Sequence, residues 1–451
     1  MSHRLERTIA AGLLIAIVFT ALAFGGVEPW ALAIFELLIA LLALLWVVRT
    51  VTEGRINLAL PRVIFPFGGL IIWATIQGLV FHNASASPVS ISLDAEATRN
   101  AAGTMVFILV FWILAATLFS TTQRIEMLAR FLVIYGASLA MFALIQSMTW
   151  NGAFYWIRQT SAHGFGPFAN RDHFAGYMEM LAPIPVALLI TGAVPKDLRL
   201  LAGFAGAIMG VSIVASLSRG GILSFVMGML FTVLAYSPRP DAKSRRTLKL
   251  AAAGSILAAV VVGTLWIGAA PIVNRAAQTL QEASDAAPDY YSRKWLWRDT
   301  WALIRHHPIT GTGAGAFDAA FPAYSHASGQ YIVAQSHNDY LQLLADCGVI
   351  GGALGILFLV LLYRVMRRAL KSPDRLQAGV ALGCGGGIFA LLVHSLFDFN
   401  LQIPSNILLF VFLVAVVCSI ARIATQTGAK QMSYDLAYAQ PSVSGGRRVS
   451  L

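Results

Sequence analysis

Residues 29–48 read PWALAIFELLIALLALLWVV, an apolar run of 20 residues that contains one charged side chain, Glu36. A bilayer core needs about 20 such residues in an α-helix, so this run predicts a membrane span. The composition agrees, because 57% of the 451 residues are hydrophobic and only 12% are charged. Soluble domains carry about 25% charged residues. The sequence therefore predicts an all-α polytopic membrane protein and excludes a soluble, disordered or fibrous chain.

Twelve apolar stretches of this kind follow one another along the chain. They start near Thr8, Pro29, Val63, Ala101, Ile125, Gly176, Leu200, Gly220, Leu248, Tyr340, Leu376 and Pro404. The first resembles a signal peptide, but a second span follows at once, which favours a retained helix. We expect one integral membrane domain over residues 1–425 and a disordered inner tail over 426–451. Long outer loops are expected at about 150–175 and 271–339, the second partly helical and between spans 9 and 10.

The basic residues are distributed unevenly across this topology. With an inner N-terminus and alternating spans, 23 of the 32 Lys and Arg residues fall on the inner side and 9 on the outer side. This bias is typical of membrane topology, so the net charge of +11 does not support nucleic-acid binding. The three cysteines lie in apolar stretches without a CxxC partner, which favours packing residues over disulfides or a zinc site.

Two outer segments place an arginine next to a span. The segment 166–174 contains Asn170 and Arg171, and Arg171 is either an interface anchor or an anion ligand. Arg219 lies in a turn, 216–221, that separates two spans with almost no loop. An arginine so close to hydrocarbon needs a partner or a wet cavity. The free N–H groups of the helix that follows favour an anion site, and a structural ion pair is the alternative.

The second long loop contains a predicted amphipathic helix over Ser292–His307, ended by Pro308. A basic stripe on this helix consists of Lys294, Arg298 and Arg305. We interpret this stripe as a solvated or headgroup-facing surface. Arg293 falls instead within the apolar arc of the helix. It is either a ligand for an anion or a helix-end charge that bends toward water.

Histidine and acidic residues gather at the outer ends of two later spans. His337, Asn338 and Asp339 directly precede the tenth span. An imidazole changes protonation near neutral pH, so His337 is a candidate general base, and a helix cap is the alternative. His394 and Asp398 are four residues apart on one helix face, which we interpret as a structural hydrogen bond.

The glycine-rich run at 311–317 lacks the preceding strand and the spacing of a nucleotide-binding fingerprint, so it is predicted to be a flexible turn. The outer loops contain no DxD, HExxH or EF-hand pattern, and no metal or other cofactor is predicted. A diphosphate substrate would then be neutralised by arginine, whose planar guanidinium binds phosphate oxygens in pairs.

Several of these segments resemble the O-antigen ligase and polymerase family, bacterial membrane glycosyltransferases with a Wzy-type C-terminal domain. His337-Asn338, nine residues, Gly348, two residues and Gly351 fit the ligase signature. SRG at 218–220 is similar to the Ser-Arg-Gly turn of the family. GPFANRDHF at 166–174 is similar to its Gly-Pro-Phe-x-Asn-Arg-x-His-Phe segment, with Asp172 where a second Asn is usual. The similarity extends from about residue 164 to 404.

The resemblance implies a GT-C-like fold in the bacterial inner membrane, with both termini cytoplasmic. It implies metal-independent, inverting transfer of a glycan from undecaprenyl diphosphate to an acceptor hydroxyl on the periplasmic face. Arg219 and Arg293 would stabilise the diphosphate, and His337 would activate the acceptor. Further substrate-binding residues would be Asn170, Arg171, Asn338, Asp339 and His394.

The His337 signature favours a ligase that uses the lipid A-core acceptor in lipopolysaccharide biosynthesis. A polymerase acting on a growing polysaccharide and a protein O-oligosaccharyltransferase remain open within the same family. A polysaccharide or lipid transporter is the alternative from a different class.

Overall fold

A computed structural model describes residues 2–82, 88–160, 164–236, 254, 258, 263, 292–327, 329 and 332–438. The helices are α1 (Ser2–Leu22), α2 (Pro29–Glu53), α3 (Phe65–Gln77), α4 (Ala95–Leu118), α5 (Thr122–Met148), α6 (Arg171–Leu181), α7 (Pro183–Thr191), α8 (Arg199–Ala215), α9 (Arg219–Ala235), α10 (Arg293–His306), α11 (Phe317–Ala320), α12 (Asp339–Ala369), α13 (Arg375–His394) and α14 (Pro404–Tyr438). Short 3-10 turns occupy Phe24–Gly26, Arg62–Ile64, Lys196–Leu198, Phe321–Ala323 and Asn400–Gln402. Two antiparallel pairs join β1 (Phe81–His82) to β2 (Pro88–Val89) and β3 (Ala153–Phe154) to β4 (Arg158–Gln159).

Within the described residues, nine stretches are long and apolar enough to cross a bilayer. They are α1, α2, α4, α5, the joined α6 and α7, α8, α12, α13 and α14. The spans predicted near Val63 and Gly220 correspond to α3 and α9, shorter apolar helices of 13 and 17 residues. The span predicted near Leu248 lies in 237–291, of which only residues 254, 258 and 263 are described. The prediction of an all-α polytopic membrane protein is confirmed.

Polar residues at the helix starts determine where six of the helices begin. The side chains of these caps each accept a hydrogen bond from a backbone N–H in the first turn of the helix that follows: Asp94, Thr121, Asn170, Ser218, Asn338 and Asp374. These N–H groups have no acceptor within the helix, so each cap satisfies a group that would otherwise be unpaired. Ser218 and Asn338 thereby fix the starts of α9 and α12.

Helix α13 packs in the middle of the bundle, in contact with α6, α7, α9 and α14. A Cβ on Gly386 would lie 2.1 Å from Oγ1 of Thr232 on α9, and one on Gly387 would lie 2.2 Å from the carbonyl oxygen of Met180 on α6. Membrane helices pack through such small residues because lipid offers little hydrophobic drive between them. The close packing brings His394, the last residue of α13, next to α6 and α9.

The alternating helices bring the predicted polar segments to one end of the bundle. Nη1 of Arg124 lies 2.7 Å from Oε1 of Glu6 and forms a salt bridge with it. We name the end of the bundle that contains this pair the far end. At the opposite end, which we name the site end, Nδ2 of Asn338 donates to the carbonyl of Leu396 at 2.9 Å. The described parts of the segments around Arg171, Arg219, His337 and His394 all lie at the site end.

The glycine-rich run at 311–317 is not the flexible turn that its composition predicts. It packs where α12 breaks at Gly348, which has φ 60° and ψ −159°. The N–H of Gly313 donates to the carbonyl of Asp346 at 2.9 Å. A Cβ on Gly348 would lie 2.2 Å from the carbonyl oxygen of Ile309, in the segment that crosses α12 at the break. Only glycine leaves room for this segment and also adopts the positive φ readily. The turn is fixed because its N–H groups bind carbonyl groups of α12 that have no partner within the helix at the break. Such pairing between distant segments cannot be predicted from the composition of the turn.

The C-terminal helix is longer than predicted. The disordered tail was expected from residue 426, but α14 continues to Tyr438. Residues 404–438 contain proline only at the first position, so nothing in the sequence forces the helix to stop earlier. Residues 439–451 lie outside the described residues.

Candidate active site

The centre of the candidate site is His337, which is hydrogen-bonded to a buried carboxylate. Nδ1 of His337 lies 3.0 Å from Oδ1 of Asp398, and Asp398 is fully buried whereas 37% of the His337 side chain is exposed. Burial alone would raise the pKa of Asp398, but the hydrogen bond from His337 holds that pKa well below its usual range. An ionised carboxylate can only accept, so Nδ1 is the donor and Nε2 is left as a proton acceptor.

The residues that follow His337 fasten α12 to the segment after α13. Oδ1 of Asn338 caps α12, and its Nδ2 donates to the carbonyl of Leu396 at 2.9 Å. Oδ2 of Asp339 accepts from Oγ of Ser395 at 2.7 Å. Asn338 and Asp339, both predicted to bind substrate, therefore make structural contacts that hold His337 against the segment containing Asp398.

His394 does not pair with Asp398 through its side chain, so the predicted hydrogen bond between these two side chains is wrong. The hydrogen bond between these two residues runs instead from the backbone N–H of Asp398 to the carbonyl of His394, at 3.0 Å. Nδ1 of His394 lies 3.1 Å from Oε1 of Glu179 on α6, and both side chains are buried. Helical spacing predicted that His394 and Asp398 share a helix face, but the imidazole of His394 binds Glu179, which is 215 positions away in the sequence.

The buried Glu179–His394 pair lies directly beneath the turn that carries Arg219. A Cβ on Gly220 would lie 2.8 Å from Nε2 of His394, so the first turn of α9 packs against this imidazole. Oγ of Ser218 accepts from the N–H of Gly221 at 3.1 Å and starts α9 at Arg219. Arg219 is half-buried at this helix N-terminus, where the helix dipole and free N–H groups favour an anion.

The start of α6 approaches the same segment from another side. Asn170 caps α6, its Oδ1 accepting from the N–H of Asp172 at 2.8 Å, and Arg171 is the first helical residue. The ring of Phe399 lies edge-on to His173 at 4.8 Å and to His337 at 4.7 Å between ring centroids. Phe399 therefore links the segment of Arg171 to that of His337.

A cleft of about 990 Å³ opens beside His337. Its walls are mostly apolar and include Leu296, Phe399 and Ile403. Arg293, the first residue of α10, lies one turn before Leu296, and residues three apart are neighbours on a helix surface. The structure thus places the α10 turn that carries Arg293 at the wall of this cleft.

Several buried polar atoms around His337 have no hydrogen-bond partner within the described part of the chain. They are Oε2 of Glu179, Oδ1 of Asp339, Oδ2 of Asp398 and Nδ2 of Asn400. Unsatisfied buried groups are rare in folded proteins, and four of them close together mark this region as unusual. In the same described residues, no three His, Cys, Asp or Glu side chains form a group that could hold a metal ion.

Sequence reasoning missed two residues of this arrangement. Asp398 was assigned to the wrong histidine, and Glu179 was not singled out. Glu179 is nevertheless the one acidic residue within the apolar stretch 176–191, and a lone carboxylate inside a membrane span indicates a functional or paired group. That signal could have identified Glu179.

Comparison with known proteins supports the resemblance seen in the motifs. No curated protein matches the chain significantly. Residues 204–356 match the family model described as O-antigen ligase, and this stretch contains Arg219, Arg293 and His337. The match covers about a third of the chain, and the family indicates a glycosyltransferase- or ligase-type membrane enzyme of polysaccharide biosynthesis. Residues 204–356 of the chain are therefore similar to the O-antigen ligase family.

Proposed function

We propose that the chain is an O-antigen ligase that transfers a glycan from undecaprenyl diphosphate to a hydroxyl of lipid A-core. The observation that carries this proposal is the imidazole of His337, held by the buried carboxylate of Asp398 at the wall of an apolar cleft. A hydroxyl acceptor needs such a base within hydrogen-bond reach. The apolar walls suit a substrate whose carrier is a lipid.

In the proposed reaction, the acceptor oxygen attacks the anomeric carbon while the bond from that carbon to the diphosphate oxygen breaks. The electron pair of the broken bond stays on the diphosphate, and the hydroxyl proton passes to Nε2 of His337. Attack from the face opposite the leaving group inverts the anomeric centre. The buried carboxylate of Asp398 binds the imidazole of His337, and its role in this proposal is to orient the imidazole and to stabilise its protonated form.

Arginines stabilise the charge that grows on the leaving diphosphate in this proposal. Arg219 adds its guanidinium to the N-terminus of α9, and Arg293 adds a second at the start of α10. Fixed positive groups in a low-dielectric site stabilise such charge far better than water-exposed ones. Arg171, at the start of α6, is a third and weaker contributor. The proposed mechanism requires no metal ion.

The proposed location is the bacterial inner membrane, with both termini in the cytoplasm and the site end in the periplasm. The excess of basic residues on the predicted inner side supports this orientation. The ligase signature at His337 favours lipid A-core as acceptor over a growing polysaccharide or a protein. A transporter is less well supported, because transporter sites lie near the bilayer midplane in broken helices. The break in α12 at Gly348 is instead filled by backbone from the 308–315 segment.

The test is transfer by the purified protein from a defined polyprenyl-diphosphate glycan to lipid A-core, to a second donor molecule or to an acceptor protein. We expect lipid A-core to be the best acceptor and His337→Gln to lower the rate by about 100-fold or more. His326→Gln is the matched control, because His326 forms a second His–Asp pair, with 2.8 Å between Nδ1 and Oδ1 of Asp299. A His337→Gln variant as active as His326→Gln would refute the proposed chemistry. Faster transfer to a second donor would reassign the protein as a polymerase.

A further inference from the structure

One face of α10 is a continuous basic surface. Lys294, Arg298, Trp301 and Arg305 are all exposed and follow one another at intervals of four, three and four residues. This spacing places them in one row along the helix. We name these four residues the α10 stripe. The opposite face, which includes Leu296, Leu303 and Ile304, is buried.

The stripe has no exposed acidic residue on its own helix to neutralise it. The only carboxylate of α10 is Asp299, which is 2% exposed and bound to His326 through both its oxygens. Ordinary solvated helix faces mix charges of both signs, which pair along the helix. The guanidinium of Arg298 is moreover held over the ring of Trp295, at 4.7 Å from the centroid. Three cations and an exposed indole in one row are suited to an anion carried on a sugar.

The apolar face of α10 packs on protein. Leu296, Leu303 and Ile304 form a cluster with Phe317 and Phe321. A helix that binds a bilayer surface inserts its apolar face into the lipid, and the α10 face is already occupied. Phospholipid headgroups are therefore a weaker choice of ligand for the stripe than a soluble or glycolipid-borne anion.

The stripe also lies close to the proposed reaction. Leu296 belongs to the wall of the cleft beside His337, and the stripe is on the other side of the same helix. A helix with its side chains is about 10–12 Å across, a distance that an oligosaccharide can span. An acceptor whose reacting hydroxyl lies at His337 can therefore extend past α10.

We propose that the α10 stripe binds phosphate groups on the saccharide of the acceptor, so that the enzyme selects phosphorylated glycolipids. This inference rests on the proposed function for its placement in the reaction. The bidentate geometry of guanidinium toward phosphate favours Arg298 and Arg305 as the main ligands, with Lys294 as a point charge.

The experiment uses the full chain in nanodiscs of phosphatidylcholine, prepared with and without an anionic phospholipid. The acceptors are a phosphorylated lipid A-core and its enzymatically dephosphorylated form. The test variant is the triple substitution Lys294→Gln, Arg298→Gln and Arg305→Gln. The matched control is Arg364→Gln, Arg367→Gln and Arg368→Gln, which removes three exposed cations at the far end of α12. In the control set, Arg367 also lies over an aromatic ring, that of Tyr363.

We expect the KM of the stripe variant for the phosphorylated acceptor to be about tenfold higher than that of the wild type, because three exposed ion pairs together contribute about that much. Its kcat and its KM for the donor should be unchanged. The control variant should behave as the wild type, and on the dephosphorylated acceptor all three proteins should agree. An unchanged KM for the stripe variant would overturn the inference. An effect of equal size on both acceptors that appears only with anionic phospholipid in the nanodisc would assign the stripe to bilayer headgroups and overturn it too.

Direct binding separates the failure of this inference from that of the proposed function. Binding of the phosphorylated core oligosaccharide, freed of its lipid, is measured on wild-type protein and on both triple variants. We expect the stripe variant alone to bind about tenfold more weakly. If the wild-type protein binds the oligosaccharide through the stripe but transfers no glycan, the proposed function is refuted and the stripe is still an anion-binding site. Equal binding by all three would refute the site whatever the activity.

Discussion

At the residue scale, the backbone of His337 is strained and its neighbours hold it in place. Its φ is 51°, in the left-handed region that costs a non-glycine residue about 1–3 kcal/mol. The N–H of Ser336 donates to Oε1 of Gln342 at 2.7 Å, and Oγ of Ser336 donates to the carbonyl of Asn338 at 2.8 Å. These bonds fix the residues on both sides of His337. The imidazole is therefore presented to Asp398 by a rigid turn.

Replacing Asp398 tests whether the carboxylate acts through the imidazole. Asp398→Asn keeps the size of the side chain and removes the negative charge, which is present throughout the neutral range because the pKa of Asp398 is far below it. We expect kcat to fall by about 100-fold with little change in either KM, because Asp398 is fully buried and is proposed to act through the imidazole of His337. Transfer kinetics in detergent micelles measure this. Asp299→Asn, in the second His–Asp pair, is the control, and equal losses in both variants would contradict a specific role.

Gly220 tests the contact between His394 and the Arg219 turn. Alanine is better than glycine in most helices, but a methyl group at Gly220 would come within 2.8 Å of Nε2 of His394. We expect Gly220→Ala to displace the turn and to lower the transfer rate by about tenfold or more, as small misplacements of catalytic groups do. Gly203→Ala on α8 is the control, because a Cβ there meets nothing within 4 Å. Full activity of Gly220→Ala would show that the turn can shift freely.

At the element scale, the helices were predictable because a span is a local property of the sequence. A run such as 29–48 contains enough apolar residues to cross a bilayer whatever surrounds it. The pairs of the site are different, because the partner of His337 lies 61 positions away and that of His394 lies 215 positions away. Spacing along one helix therefore suggested the wrong partner for His394.

The break in α12 accounts for the glycine at position 348 in the recognised signature. We expect Gly348→Ala to lower the free energy of unfolding by more than the about 1–3 kcal/mol that a left-handed φ alone costs, because the methyl group also meets the carbonyl oxygen of Ile309. Thermal unfolding in detergent measures this. Gly192→Ala measures the cost of an ordinary left-handed conformation without a steric clash, since Gly192 has φ 71° and ψ 26° and a Cβ there meets nothing within 4 Å. Equal decreases in the free energy of unfolding of the two variants would mean that the 308–315 segment can move away from a methyl group at position 348.

At the scale of the whole molecule, the bundle separates two polar ends. Arg124 and Glu6 pair at the far end, while Arg171, Arg219 and His337 lie at the site end. The charge bias of the sequence predicts the orientation of these ends in the membrane. It is open to a direct chemical test because the three native cysteines are buried.

Thiol labelling in intact spheroplasts tests the orientation. We expect Ala323→Cys, at the site end, to react with an impermeant maleimide, and Lys371→Cys, at the far end, to react only after the membrane is permeabilised. Both positions are exposed, so accessibility of the thiol does not differ between them. The wild-type chain is the background control. The reverse labelling pattern would place the site end in the cytoplasm.

The most direct test of the proposed site is the single-turnover rate of glycan transfer by Arg219→Ala, at saturating polyprenyl-diphosphate donor and lipid A-core. Loss of one fixed group that stabilises transition-state charge typically lowers a rate by about 100- to 1,000-fold. We predict a loss in that range, with normal expression and membrane insertion and with donor still bound. A wild-type rate from Arg219→Ala would contradict the assignment of the α9 N-terminus to the leaving diphosphate.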